Sequence, residues 1–322
     1  MSTLTRPAAR RDPARTKPRR LRGLAWLMFR QHRVAFALCA AATVLGTAYL
    51  AYERGAFLDT LNGATPSTVD DALRSRLENR FDDAVSYLAY LPILFGAFFG
   101  APLIASDREQ GTARLVTTQS VPRMRWLLAK LGFALGLVAV TTGTLSAVLS
   151  WYWSSAHPFL TQGWLDGDSF TAAGPVLAAM TLFLTTLGIA IGTLVRRAAT
   201  AMTLTFVASG AFLLLFDYLK PRLATPHRMA FPLDTDPPAA LSHVYQVDQW
   251  VGTASGKVYG YGTCVHSDMK ECRARLGIVN SVWDYFTYDQ RAPMQWTAAG
   301  LLLGGTAVLV ALIVWRARRR AF

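Results

Sequence analysis

The residues of this chain that most directly suggest a chemical task are three adjacent charged ones, Asp107, Arg108 and Glu109. They stand between two long apolar segments. Gly111 follows them and permits a sharp turn of the backbone. Closely spaced acids and bases suit recognition of a protein partner, because such recognition depends on complementary charge. The cluster predicts either a docking element for another protein or a solvated loop without a partner.

A second group with chemical potential is a cysteine pair, Cys264 and Cys272, which encloses seven residues. We predict a disulfide between them, with reduced thiols as an alternative. A zinc site that also uses His266 and His243 is a further alternative. Zinc is disfavoured because neither C-x-x-C spacing nor a fourth local ligand is present, so we expect no metal site.

Enzymatic motifs are weak in this sequence. Ser242, His243 and Asp248 have the residue types of a hydrolytic triad, but a triad is defined by geometry, and such residues recur by chance in polar loops. The phosphate-binding pattern G-x-x-x-x-G-K-[ST] is absent from the sequence, since Gly256-Lys257 is followed by valine. We therefore expect no catalytic residue, no cofactor bound by this chain and no enzymatic activity of its own.

The elements that must position these residues are six stretches without Lys, Arg, Asp or Glu. Each is long enough to cross a bilayer as a helix that satisfies its own backbone hydrogen bonds. With 52% hydrophobic and 16% charged residues, the chain is predicted to be an all-α integral membrane protein with six transmembrane helices. These predicted spans hold no charged residue of the types Lys, Arg, Asp and Glu, which argues against ion-coupled transport. They cover residues 34–52, 84–106, 131–165, 169–195, 198–216 and 292–315.

The distribution of basic residues predicts the orientation of the helices. If the amino terminus is cytoplasmic, the cytoplasmic segments carry 21 of the 33 Lys and Arg residues and 3 of the 20 Asp and Glu residues. This asymmetry predicts a multi-pass protein of the cell membrane with both termini in the cytoplasm. The net charge of +13 then reflects orientation and attraction to membrane lipid. We expect no nucleic-acid partner, because no base-reading module is present.

Four regions follow from this pattern. Residues 1–20 form a disordered basic N-terminal arm. Residues 21–216 form an interfacial helix and transmembrane helices 1–5, although the first part is equally an extension of the first span. Residues 217–291 form a larger extracytoplasmic loop domain, which its many aromatic residues predict to be ordered. Residues 292–322 form transmembrane helix 6 and a basic cytoplasmic tail.

Glycines recur four residues apart in four of the predicted spans. Such pairs let helix backbones approach closely in lipid, where burial from water cannot drive association. They predict packing within one bundle, or a self-complementary seam between two copies of the chain. The pairs are Gly96 and Gly100, Gly132 and Gly136, Gly188 and Gly192, and Gly300 and Gly304.

Three segments resemble a known family. The loop D-R-E-Q-G-T-A-R-L-V-T-T-Q-S-V-P-R-M-R-W-L-L-A-K, which starts at Asp107, resembles the segment after the second span of permease subunits in type-2 ATP-binding-cassette exporters. The run W-L-M-F-R-Q-H-R from Trp26 and the run G-T-L-V-R-R-A-A-T-A-M-T-L-T from Gly192 are similar to segments of actinobacterial members. The resemblance covers residues 21–322.

The resemblance implies that the chain is the permease subunit of an ATP-driven exporter. A separate ATPase subunit would bind ATP and Mg²⁺, and a second permease chain would complete a homodimer or heterodimer. The alternative is a non-transporting membrane sensor or scaffold that binds through its extracytoplasmic domain. The resemblance assigns ATPase-subunit coupling to Asp107, Arg108, Glu109, Gly111, Thr112 and Arg114, and a possible second coupling contact to Arg22, Trp26 and Arg30.

Overall fold

A computed structural model describes residues 30, 32–111, 122–160, 163–165, 168–241, 244–265 and 268–319. Within this part of the chain, six helices are long and apolar enough to cross a membrane, as predicted. The predicted basic arm and interfacial helix lie outside the described residues, apart from Arg30, His32 and Arg33. The helices are α1 (Arg33–Leu61), α2 (Asp71–Ala89), α3 (Leu91–Leu94), α4 (Pro102–Glu109), α5 (Arg123–Ala156), α6 (Ser169–Ala172), α7 (Pro175–Leu194), α8 (Ala198–Leu219), α9 (Met269–Leu276) and α10 (Arg291–Arg319).

Helices α2, α3 and α4 form one continuous candidate span through a π-helical turn at Phe95–Gly100. In that turn the Ala101 amide donates to the Gly96 carbonyl at 3.0 Å, one residue further back than in an α-helix. Pro102 begins α4 directly after the wide turn. The wide turn presents Gly96 and Gly100 to α7.

Helix α7 is the centre of the bundle. It is the most buried candidate span and packs against α5, α8, α10 and the π-helical turn. Its 20 residues correspond to about 30 Å, the thickness of the hydrocarbon layer. Cβ atoms built on Gly100, Gly188 and Gly192 would each lie closer than 3.0 Å to a backbone oxygen of the facing helix. The close backbone contact between α7 and the π-helical turn therefore depends on these glycines.

The other predicted glycine pairs do not pack in this way. A Cβ atom at Gly132, Gly136, Gly300 or Gly304 would meet nothing within 4 Å in the described part of the chain. Packing within one bundle therefore holds for two of the four predicted pairs. Gly96, Gly100, Gly188 and Gly192 pack inside one chain, and the remaining four are on open helix surface.

The segment between α8 and α10 contains a four-stranded antiparallel sheet in the order β1-β4-β2-β3. The prediction of an all-α protein is therefore wrong for this segment. Its strands carry the β-branched and aromatic residues that favour a pleated, half-buried surface. The apolar runs in these strands are short and are interrupted by charged residues. A search for long apolar segments therefore does not detect the strands. The strands are β1 (His227–Pro232), β2 (Tyr245–Thr253), β3 (Val258–Gly260) and β4 (Ile278–Phe286).

A disulfide joins Cys264 to Cys272 and links the turn after β3 to α9. Both cysteines are buried in a small core with Val251 and Ile278. His243 and His266, which the zinc alternative requires, lie outside the described residues. The bond therefore constrains α9 relative to the turn after β3.

The consecutive spans alternate in direction and give the bundle two ends. We call the end with residues 107–111, 122–126, 194–198 and 316–319 the loop end. The opposite end, where the chain folds into the sheet, is the sheet end. One hydrophobic core joins the bundle to the sheet there, since Phe286 of β4 packs in the same cluster as Trp164 and Met294.

The sheet contains a charged pair that gives it a pH dependence. Arg228 donates two hydrogen bonds to the Asp284 carboxylate, at 2.7 and 2.8 Å, and Trp250 donates a third at 3.0 Å. Hydrogen bonding to Arg228 lowers the pKa of Asp284 below its ordinary value of 3.8. Because the folded-state pKa is the lower one, the stabilisation is present above the ordinary value and is lost as pH falls through the folded-state pKa.

We expect hydrogen exchange of β1 and β4 to accelerate, after correction for intrinsic rates, as pH falls from about 5 towards 2. Asp284→Asn should make the sheet less protected at neutral pH and remove most of that acid dependence. Asp236→Asn, which changes an exposed carboxylate in the connection between β1 and β2, is the matched control and should behave as wild type. Equal acid dependence in wild type and Asp284→Asn would contradict this assignment.

Candidate functional site at the loop end

The charged cluster at the end of α4 is turned into the bundle. Asp107 is buried and forms an ion pair with Lys130 of α5, whose side chain is 1% exposed. Lys130 lies two turns inside α5, because that helix begins at Arg123. The prediction that the spans hold no charged residue is therefore corrected. The helices extend beyond the charge-free stretches, and one buried ion pair lies near the loop end.

The next two residues hold the ends of two further helices. The Arg108 guanidinium donates to the carbonyl of Thr193 in the last turn of α7. The Glu109 carboxylate accepts from the amide of Ala198, the first residue of α8, at 2.9 Å. Both contacts satisfy backbone groups that a helix end leaves unpaired, and both have the sign that the helix dipole favours.

We call these six residues the three-helix joint: Asp107, Arg108, Glu109, Lys130, Thr193 and Ala198. Three consecutive side chains of α4 are thereby fixed to α5, α7 and α8. The joint is built entirely within the chain, and it has a buried ionic part and a more exposed part at Glu109.

Basic side chains surround the joint. Arg196 and Arg316 are near enough to Arg108 to repel its charge. Arg196 and Arg197 are exposed in the α7–α8 connection, and Arg318 and Arg319 are exposed at the end of α10. The loop end is therefore a basic surface, which suits an acidic protein partner or anionic lipid headgroups.

The predicted coupling residues do not share one environment. Asp107, Arg108 and Glu109 contact the bundle, whereas Gly111 is exposed, with φ of +70° and open space around it. Thr112, Arg114, Arg22 and Trp26 lie outside the described residues, and Arg30 is exposed. The anchored part of the loop thus ends at Glu109, which is itself exposed, and Gln110 and Gly111 follow it on the surface.

Sequence analysis missed three members of the joint: Lys130, Thr193 and Ala198. A signal for Lys130 was available, since a lone cation within the run L-L-A-K-L-G needs a partner inside the protein. A weaker signal concerned α8, whose N-cap residue, Arg197, has no side chain suited to capping. Glu109 supplies the missing acceptor from a distant part of the sequence.

The sheet end contains a separate cavity of about 580 Å³. Apolar and aromatic side chains of α2 and α5, including Phe81 and Trp153, form part of its wall, and Glu78, Asp82 and Asp168 also line it. Trp153 is held by a hydrogen bond of 2.8 Å to the hydroxyl of Tyr288. No residue that lines this cavity belongs to the three-helix joint.

Six apolar helices, a buried ion pair and a basic end define a multi-pass membrane protein with a polar site at one end. The family model described as "ABC-2 membrane transporter related" matches residues 26–220, more than half of the chain. The chain belongs to this family, which confirms the resemblance to type-2 ATP-binding-cassette permeases. No curated protein and no solved structure matches the chain. The matched region covers the three-helix joint and ends before the sheet.

Proposed function

We propose that this chain is the permease subunit of an ATP-driven exporter and that it couples to a separate ATPase subunit at the loop end. The observation that carries the proposal is the three-helix joint, which fixes the family's loop to three helices and leaves Gln110 and Gly111 exposed. A loop with one anchored and one exposed part is suited to pass a partner's movement into the bundle. ATP and Mg²⁺ would be bound by the partner, and this chain would not be an enzyme.

The proposed orientation places the loop end and both termini in the cytoplasm. The basic surface at the loop end supports this orientation. The disulfide in the sheet supports an oxidising, extracytoplasmic location for the sheet end. The open glycine surfaces at Gly132, Gly136, Gly300 and Gly304 would suit contact with a second permease chain or lipid.

Site-directed labelling and cross-linking test the proposal together. In a Cys39→Ser background, Gln110→Cys should cross-link to an ATP-hydrolysing protein in native membranes. It should react with a membrane-impermeant maleimide only after the cells are permeabilised. Ala254→Cys in the turn between β2 and β3, which is also exposed, is the matched control and should react in intact cells.

Two results would contradict the proposal. Reaction of Gln110→Cys in intact cells would reverse the orientation. Recovery of partners that bind the sheet, without any ATP-hydrolysing protein, would favour the alternative of a sensor or scaffold.

A further inference from the structure

We infer that Asp107, Arg108 and Glu109 are internal anchors and not contacts to the ATPase, and that Lys130 is the positioning residue that holds them. The inference rests on the proposed function and assigns to these residues a role opposite to the one that the resemblance implies. The ATPase contact would then begin at Gln110. Movement of the exposed part would reach α5, α7 and α8 together through the joint.

Asp107 is not available to a partner outside the bundle. Its side chain is 12% exposed and that of Lys130 is 1% exposed, and the two are paired. Separating a buried ion pair leaves an uncompensated charge in a low-dielectric environment, which is strongly unfavourable. Asp107 therefore cannot turn outwards to a partner without leaving Lys130 buried and unpaired.

Arg108 and Glu109 contact the ends of two helices that are adjacent in the chain. Helices α7 and α8 are joined only by residues 195–197, so their loop ends must move together. Arg108 holds one of these ends and Glu109 holds the other. The α7–α8 pair and α4 are thus linked at adjacent points, and Lys130 adds α5 to the same unit.

The anchored part of the loop ends where α4 ends. Helix α4 ends at Glu109, and Gly111 adopts a left-handed backbone conformation immediately after it. A left-handed residue directly after a helix ends the helical path, so the direction of α4 stops at this turn. The contacts that anchor α4 therefore end with the helix, and Gln110 and Gly111 follow them on the surface.

The test uses the purified complex with its ATPase and a reporter cysteine, Thr200→Cys, in the exposed first turn of α8 in the Cys39→Ser background. The rate of maleimide labelling is measured with and without ATP. We expect Lys130→Met to retain the ATPase in the complex and to reduce the ATP-dependent difference in labelling by about fivefold or more. Arg76→Met, which removes an exposed cation of α2 at the opposite end of the bundle, should leave the difference unchanged.

The exchange of charges separates an internal anchor from an ATPase contact. The double variant Asp107→Lys/Lys130→Asp restores an internal pair, so it should recover most of the ATP-dependent difference. If Asp107 instead contacts the ATPase, the double variant should lose that partner as Asp107→Lys alone does. Failure of the double variant to restore labelling, or an unchanged response of Lys130→Met, would overturn the inference.

Failure of the proposed function gives a different result. In that case the wild-type chain would yield no ATPase, whatever the state of the joint. A double-mutant cycle on thermal unfolding, with Asp107→Asn and Lys130→Met, then still tests the anchor: the two changes should be strongly non-additive. Additive effects would reject it. Should Lys130→Met not fold, Glu109→Gln, which removes only charge at the more exposed contact, provides the milder variant for the labelling experiment.

Discussion

Gly188→Val is expected to lower the stability of the bundle by about 3 kcal/mol or more, near the upper end of what overpacking costs. A Cβ atom at Gly188 would lie closer than 3.0 Å to the backbone oxygen of Gly96. Both groups belong to helical backbone, so no side-chain rotation relieves the clash, and α7 must separate from the π-helical turn. The measurement is thermal unfolding in detergent, together with the fraction of protein that elutes as a single species.

Gly300→Val is the matched control for this change. It makes the same substitution in α10, where nothing lies within 4 Å of the added atom. Because valine has a higher helix propensity than glycine, the change should leave stability unchanged or raise it by a few tenths of a kcal/mol. If Gly188→Val and Gly300→Val unfold at the same temperature, the close packing of α7 against the π-helical turn is refuted. A loss of dimer in Gly300→Val without a loss of monomer stability would instead indicate a seam between two copies.

Gln295→Leu is expected to destabilise the sheet end by about 2–5 kcal/mol, because two buried acceptors lose their donor. The side-chain amide of Gln295, which is buried in α10, donates to the carbonyl of Phe170 in α6 and to that of Ala173, which follows α6. Leucine fills a similar volume, so the cost arises from the unpaired carbonyls more than from a cavity. Thermal unfolding and protease sensitivity of the connection between α6 and α7 measure the effect.

Thr297→Val provides the comparison in the same helix. Thr297 is exposed, and its hydroxyl donates to the carbonyl of Pro293 one turn earlier. That carbonyl is within the helix and has other donors available, so the change should be nearly neutral. Comparable losses in Gln295→Leu and Thr297→Val would show that the buried amide does not hold the connection in place.

The number of helices was predictable from the sequence because hydrocarbon excludes charge and unpaired backbone groups. The same reasoning placed the ends of the helices too early, since it stopped each span at the first charged residue. Lys130 shows the consequence: a cation that continues a helix was assigned to a loop, and its pairing with Asp107 was not foreseen. Pairing across 23 residues depends on tertiary contact, which periodicity does not contain.

The sheet was missed for a different reason. The strand Ile278–Phe286 is rich in β-branched and aromatic residues, but Asn280 and Asp284 interrupt its apolar pattern. Asp284 is tolerated there because Arg228 of the neighbouring strand pairs with it. The glycine pairs were an intermediate case, since their spacing predicted close packing and the structure was needed to show which pairs achieve it.

The pairing of β1 with β4 has a mechanical consequence. Strand β1 follows α8 and strand β4 leads into α10, so the backbone hydrogen bonds between the two strands connect the sheet ends of these two helices. The side-chain amide of Gln290 adds a hydrogen bond of 3.1 Å to the Thr225 carbonyl. An opening between α8 and α10 at the sheet end would have to break these hydrogen bonds.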